Sequence, residues 1–175
     1  MTMRSGSALA IVATFLILSA PVVRAADDDK DEGDQTAVVK ALSQAKVSLN
    51  QGLLASAHEG TPISAKFEME DGKLQLSVYT MKADKFAEVG VDPISGKVVN
   101  VEAITEGEDL AAAKAQSDAM KKAKKSLGEA LQEALKANKG YKAVSVIASL
   151  KDGHAVAELA LAKGEELKTV DEKLD

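Results

Sequence analysis

Phe67-Glu68-Met69-Glu70-Asp71-Gly72-Lys73-Leu74-Gln75-Leu76-Ser77-Val78 decides how this chain folds. Ile63, Ala65, Phe67 and Met69 alternate with Ser64, Lys66, Glu68 and Glu70, the period of two expected of a half-buried strand. Asp-Gly between two such runs is the strongest short-range hairpin signal, because both turn residues must take positive φ. The return strand alternates Leu74, Leu76 and Val78 with Gln75, Ser77 and Tyr79.

The same design recurs further along. Val144, Val146, Ala148 and Leu150 alternate up to Asp152-Gly153, and Ala155, Ala157 and Leu159 lead away from it. Each hairpin follows a helical stretch that ends at a glycine, Gly60 or Gly140, as expected just past a helix C-terminus. Each stretch carries a capping box, Ser48-Leu49-Asn50-Gln51 or Ser126-Leu127-Gly128-Glu129. There the Ser oxygen accepts an orphan backbone N–H and the Gln or Glu reaches back. More helical sequence precedes each box, at 36–46 and 110–124. A helical hairpin and one kinked helix are both compatible with it.

The first copy continues through Phe86–Val91 to Asp92-Pro93-Ile94-Ser95-Gly96, where Pro93 presets φ and Gly96 supplies a positive one. A further strand, Lys97–Val101, completes four antiparallel strands. The second copy has a third strand near Glu166–Asp171. The fold class is therefore α+β: two tandem repeats, 36–104 and 105–175, each a helical segment on an antiparallel sheet. Residues 105–110 link them.

At this point the chain resembles the PepSY domain family. The resemblance rests on Phe67-Glu68-Met69-Glu70-Asp71-Gly72, on Tyr79, and on Val91-Asp92-Pro93-Ile94-Ser95-Gly96-Lys97-Val98. The last stretch is similar to the family's closing Val-Asp-x-x-Thr-Gly-Lys-Val, with Ser95 in place of Thr. It spans residues 45–103. The second copy matches only through its helix and first hairpin, with Asp171 where the closing motif would begin. The resemblance implies a helix on an antiparallel sheet. It also implies the role of an exported interaction or inhibitory module, since members occur in propeptides of thermolysin-type proteases and protease inhibition is a role proposed for them.

Residues 1–25 read as a signal peptide: Arg4, an apolar run Leu9–Leu18 too short for a membrane span, Pro21, and Val23-Arg24-Ala25 before the cleavage point. Cleavage would remove both arginines and no acid, leaving 20 lysines against 27 acids, a net −7 where the full chain has −5. That balance argues against nucleic acid as a partner. With no Cys in the chain there is no disulfide framework, thiol nucleophile or lipid-bearing cysteine. A periplasmic or secreted protein of the bacterial envelope is expected, with no membrane span once the leader is cleaved, and with another exported protein as partner.

Asp27-Asp28-Asp29-Lys30-Asp31-Glu32-Gly33-Asp34 fails the spacing of a calcium loop, since Glu32 and Val38 fall where Gly and the bidentate Glu belong. Residues 26–35 are expected to be a disordered acidic arm. His58 and His154 each lack a second His or a Cys nearby and read as surface residues. Glu68 and Glu70 share one strand face and read as solvated. Lys121, Lys122, Lys124 and Lys125 read as a solvated helix face whose stems cover Ala. No nucleophile elbow, P-loop or His-Glu-x-x-His is present. The expectation is no catalytic, cofactor-binding or metal-binding residue, hence no enzyme and no cofactor, with a small-ligand carrier as the alternative to an interaction module. Each copy alone buries too little surface to be robust. The two are expected to share an interface, with the open sheet edge of the second covered or used for pairing.

Overall fold

Both Asp-Gly turns have the positive φ pair that their chemistry demands: Asp71 at 47° with Gly72 at 73°, and Asp152 at 52° with Gly153 at 83°. The structure is a computed structural model and describes residues 28–175. The first turn joins β1 (Thr61–Glu70) to β2 (Lys73–Lys82), and the second joins β5 (Lys142–Lys151) to β6 (His154–Lys163). Three more strands, β3 (Lys85–Val91), β4 (Val98–Ile104) and β7 (Glu166–Lys173), complete the sheet. Its seven strands run in the order β4-β3-β2-β1-β5-β6-β7.

Every neighbouring pair is antiparallel. The two hairpin systems therefore meet through their first strands, where Ser64, Ala65 and Lys66 face Ile147, Val146 and Ser145. The shared interface thus uses one edge of the second copy, β5, for pairing, while its other edge, β7, which lacks a fourth strand, is not covered by any described element. The edges left are β4 and β7.

The helical stretches resolve into two helices each: α1 (Asp28–Ala41) and α2 (Leu49–Ser56), then α3 (Gly107–Met120) and α4 (Leu127–Ala137). Ser48 and Ser126 cap α2 and α4 with both reciprocal bonds of the capping box in place. The connection ahead of each box is tied to the far end of the sheet. Lys46 and Val47 N–H donate to the Pro93 carbonyl at 2.9 and 3.1 Å, and Lys124 and Lys125 N–H donate to the Leu174 carbonyl at 2.6 and 3.0 Å. Leu174 thus does for the second half what the Asp92–Gly96 turn does for the first. That places the start of the corresponding stretch at Glu172, one residue beyond the Asp171 start read from the sequence.

Alternation puts Leu76 and Val78 on one sheet face and Ser77 and Tyr79 on the other. On the first face α2 and α4 pack over Phe67, Leu76, Val78, Val146 and Leu159 in one apolar cluster that draws on both halves. On the second, α3 packs Ala113 against Ile63 and Tyr79. Bulges at Ile63 and Val144, each eight residues before its turn Asp, interrupt the pairing of β1 with β2 and of β5 with β6. At the bulge the alternation read for β5 breaks, with Ala143, Val144 and Ser145 all buried; Leu150, on the regular stretch beyond it and next to the turn, is exposed.

Three further expectations need correction. Residues 28–35 of the acidic arm are helical, as the first part of α1; a run of acids suits the positive end of a helix dipole. The rest of the arm and the signal peptide lie outside the described residues. The link 105–110 is shortened, because Gly107 already opens α3. The four lysines lie past the end of α3, in the connection to α4. There Lys121 pairs with Asp118 (2.9 Å), Lys125 pairs with Glu133 (2.7 Å), and Lys122 donates to the Gly153 carbonyl (3.2 Å).

Candidate functional site

The two sheet edges differ in chemistry. On β7, Glu166, Lys168, Asp171, Glu172 and Lys173 make five of the eight residues charged. Asp171 is held by Lys151 at 2.7 Å. Charges of this kind discourage a foreign strand from pairing. On β4, Val98-Val99-Asn100-Val101-Glu102-Ala103-Ile104 carries a single charge, and six of its seven residues are exposed. Val99 is 64% and Val101 45% exposed, large values for valine in a strand. Ile94, 47% exposed, extends the apolar strip into the preceding turn.

That turn is a built feature. The Asp92 carboxylate accepts from Ser95 N–H at 2.6 Å and Ile94 N–H at 3.2 Å, while Asp92 N–H donates to the Lys97 carbonyl at 2.9 Å. The Ser95 hydrogen bonds hold the Asp92 carboxyl below its usual range. The result is a fixed base from which β4 runs out along the open edge. The outward N–H and C=O groups of an edge strand have no sheet partner, so β4 combines unmet hydrogen-bonding capacity with apolar side chains.

A second feature lies where the helices meet the sheet. A cavity of about 330 Å³ is lined by buried Leu49, Phe67, Leu131 and Ala143 and by exposed Lys46 and Lys142. A polar group occupies the second sheet face. Tyr79 OH donates to Asp109 Oδ1 at 2.7 Å, and Lys66 pairs with Glu68 at 2.6 Å. Burial, with the hydrogen bond to Asp109, pushes the Tyr79 hydroxyl well above its ordinary value. Burial also raises Glu88, helped by the nearby Glu68 carboxylate and opposed by a hydrogen bond from Ser77.

The candidates read from the sequence are dispersed. His58 is exposed just past α2. His154 opens β6 and contacts Asp175 at 2.6 Å through Nδ1. Glu68 is taken up by Lys66, and Glu70 is exposed at the strand end. The β4 edge went unread because composition alone does not say which strand is outermost. The contrast between Val98–Ile104 and Glu166–Lys173 was present in the sequence, and only the strand order gives it meaning. No helix among the described residues is long and apolar enough to cross a membrane.

No protein-family model matches the chain. No curated protein matches it either. Among solved structures it is similar to a crystal structure of a protein from Clostridium difficile 630, provisionally described as a lipoprotein. Identity is 13% over 67% of this chain and 78% of that one, with a TM-score of 0.38. A likeness this slight does not bear on function.

Proposed function

We propose that this chain is an exported, non-catalytic interaction module that binds another exported protein by adding one of its strands to the β4 edge. The observation that carries this reading is the contrast between the two edges: an apolar, exposed β4 and a β7 guarded by charge. Strand addition gains affinity from main-chain hydrogen bonds and specificity from alternate side chains. The resemblance to PepSY domains supports the reading, because the motif Val91–Val98 that carries it builds the turn on which β4 starts. Protease regulation is the finer form of the same proposal, and the tandem-repeat reading of the two halves belongs with it. Export rests on residues 1–25.

The test is affinity capture from an envelope extract with the parent chain and Val99→Lys in parallel, followed by an inhibition assay against any captured protease. The expected result is a defined partner retained by the parent and lost by the variant. Equal capture by both would remove β4 as the site.

The cavity favours a second reading, a small-ligand carrier. Its size lies at the lower end of ligand pockets, and its lining combines apolar side chains such as Phe67 and Leu131 with polar ones such as Asn50 and Lys142. Native mass spectrometry of the purified chain would then show a co-purified adduct, whereas a clean protein mass would count against it.

A further inference from the structure

Beyond the capture of a foreign strand, we infer that β4 is self-complementary and pairs with β4 of a second copy across a two-fold axis at Val101. The inference rests on the reading of β4 as a binding edge and names a partner for it. Two identical strands laid antiparallel are related by a two-fold, so one residue faces itself and the others pair reciprocally. With Val101 at the centre, Val101 faces its own copy and Asn100 meets Glu102; the bulge at Val99 takes Val98 and Val99 out of register with Ile104 and Ala103, so the match is confined to the regular segment around the axis. At the axis an apolar group faces an apolar group, and on either side of it an amide donor faces the one carboxylate of the strand. Asn100 Nδ2 already donates to Glu102 Oε1 within the strand, at 3.1 Å.

Neighbouring registers lose this match. Centring on Glu102 sets two carboxylates against each other, and directly opposed like charges destabilise a strand pair. Centring on Asn100 sets two amides against each other and leaves Glu102 opposite the irregular Val98–Val99 segment, with no amide to meet it. The bulge of this strand falls at Val99. It leaves Asn100 through Ile104 in unbroken register with Gly90 through Phe86, so the pairing centre sits on regular strand. Val101 lies opposite Val89, on the sheet face that α2 and α4 cover, and the two-fold brings Val101 of both copies together on that face. Two seven-stranded sheets then join into one, with the charged β7 edges outermost.

The experiment is sedimentation equilibrium on the purified chain over a range of concentrations, with Val101→Lys, Val101→Glu and an equal mixture of the two. Facing residues have Cβ atoms about 5 Å apart, so either substitution sets a charge against its own copy at the axis. A concentration-dependent dimer is expected for the parent. Its dissociation constant should rise at least ~10-fold in each variant and return to within about 3-fold of the parent in the mixture, where Lys meets Glu. Recovery in the mixture also shows that both variants are folded. A parent that stays monomeric at every concentration, single variants that dimerise like the parent, or a mixture that fails to recover while both variants keep the parent's circular dichroism would each overturn the inference. Should the parent be monomeric while Val99→Lys still abolishes partner capture, only the self-pairing falls and the wider reading stands. Loss of neither dimer nor capture would remove both.

Discussion

At the scale of single residues, Gly52 is a packing device. It lies on the buried side of α2, and a Cβ there would come within 2.4 Å of Leu76 Cδ2. The corresponding position after the second capping box is Ala130, and the residue that corresponds to Leu76 is Ala157. One half fits a large strand residue against no side chain, and the other has small residues at both positions. Gly52→Ala gains ~1 kcal/mol of helix propensity and loses ~1–3 kcal/mol to overpacking, so a net loss of about 1 kcal/mol is expected in urea unfolding. Leu76→Ala alone costs about 2–5 kcal/mol. In the double variant the new methyl occupies the space that Leu76 vacates, and the combined loss should fall short of the sum. Additive losses would show that the two positions do not share that space.

Glu88 makes a prediction of opposite sign. Burial raises its carboxyl above the ordinary value, so the folded state holds this proton at a pH where the unfolded chain has released it. Stability then falls as pH rises from the unfolded value of 4.5 through the folded one, because the native state binds more protons than the unfolded state across that window. Around Glu88 stand Glu68, Lys66, Ser77 and Asp109, with Tyr79 of β2 and Glu102 of β4 directly opposite it on the neighbouring strands. Glu88→Gln keeps the shape and removes the charge. Its melting temperature should exceed the parent's at pH 7, and the difference should shrink toward pH 4.5. A constant difference across that range would mean that the proton is not what matters.

At the scale of elements, the local punctuation of the fold was legible. Both Asp-Gly turns, both capping boxes and the Asp92–Gly96 turn rest on chemistry confined to a few residues, and each has the expected geometry. What lay out of reach was long-range. Nothing in the order of residues says that β1 pairs with β5, so nothing identified β4 and β7 as edges. Nor does it say where α3 goes. Its Ala-rich sequence has no broad apolar stripe, and it packs by small residues, Ala113, Ser117 and Ala119. What anchors it to the second face is Tyr79 OH on Asp109 and Ser117 Oγ on Met81 Sδ, contacts spanning 30 and 36 residues of sequence. Tyr79→Phe removes the first while keeping the ring. A loss of about 1.5–3 kcal/mol is expected, since the acceptor is a carboxylate. In hydrogen exchange the first turns of α3 should lose protection while α4 keeps its own. Uniform loss across both helices would mean that α3 is held by its small residues and not by this bond.

At the scale of the molecule, the halves are joined in three places: through the three facing pairs of β1 and β5, through an apolar cluster containing Leu49, Leu53, Phe67 and Leu76 from one half and Leu131, Val146 and Leu159 from the other, and through α3 on Ile63, Tyr79 and Met81. After the expected leader only four aromatic residues remain, so the cluster is built from Leu, Val and Ala and gains stability by extent more than by large rings. Cutting it in two exposes the β1 edge and uncovers the side of α2 that meets α4. A fragment of this size also buries only about 60% of its unfolded surface, where the described chain buries closer to 70%. The chain should therefore unfold in one cooperative transition, and residues 26–106 alone should melt at least ~10 °C lower or show no transition at all. A fragment that melts as high as the whole chain would show that the shared sheet and cluster add nothing. In that case the first half folds as a unit in its own right, and the β4 edge could be studied apart from the rest.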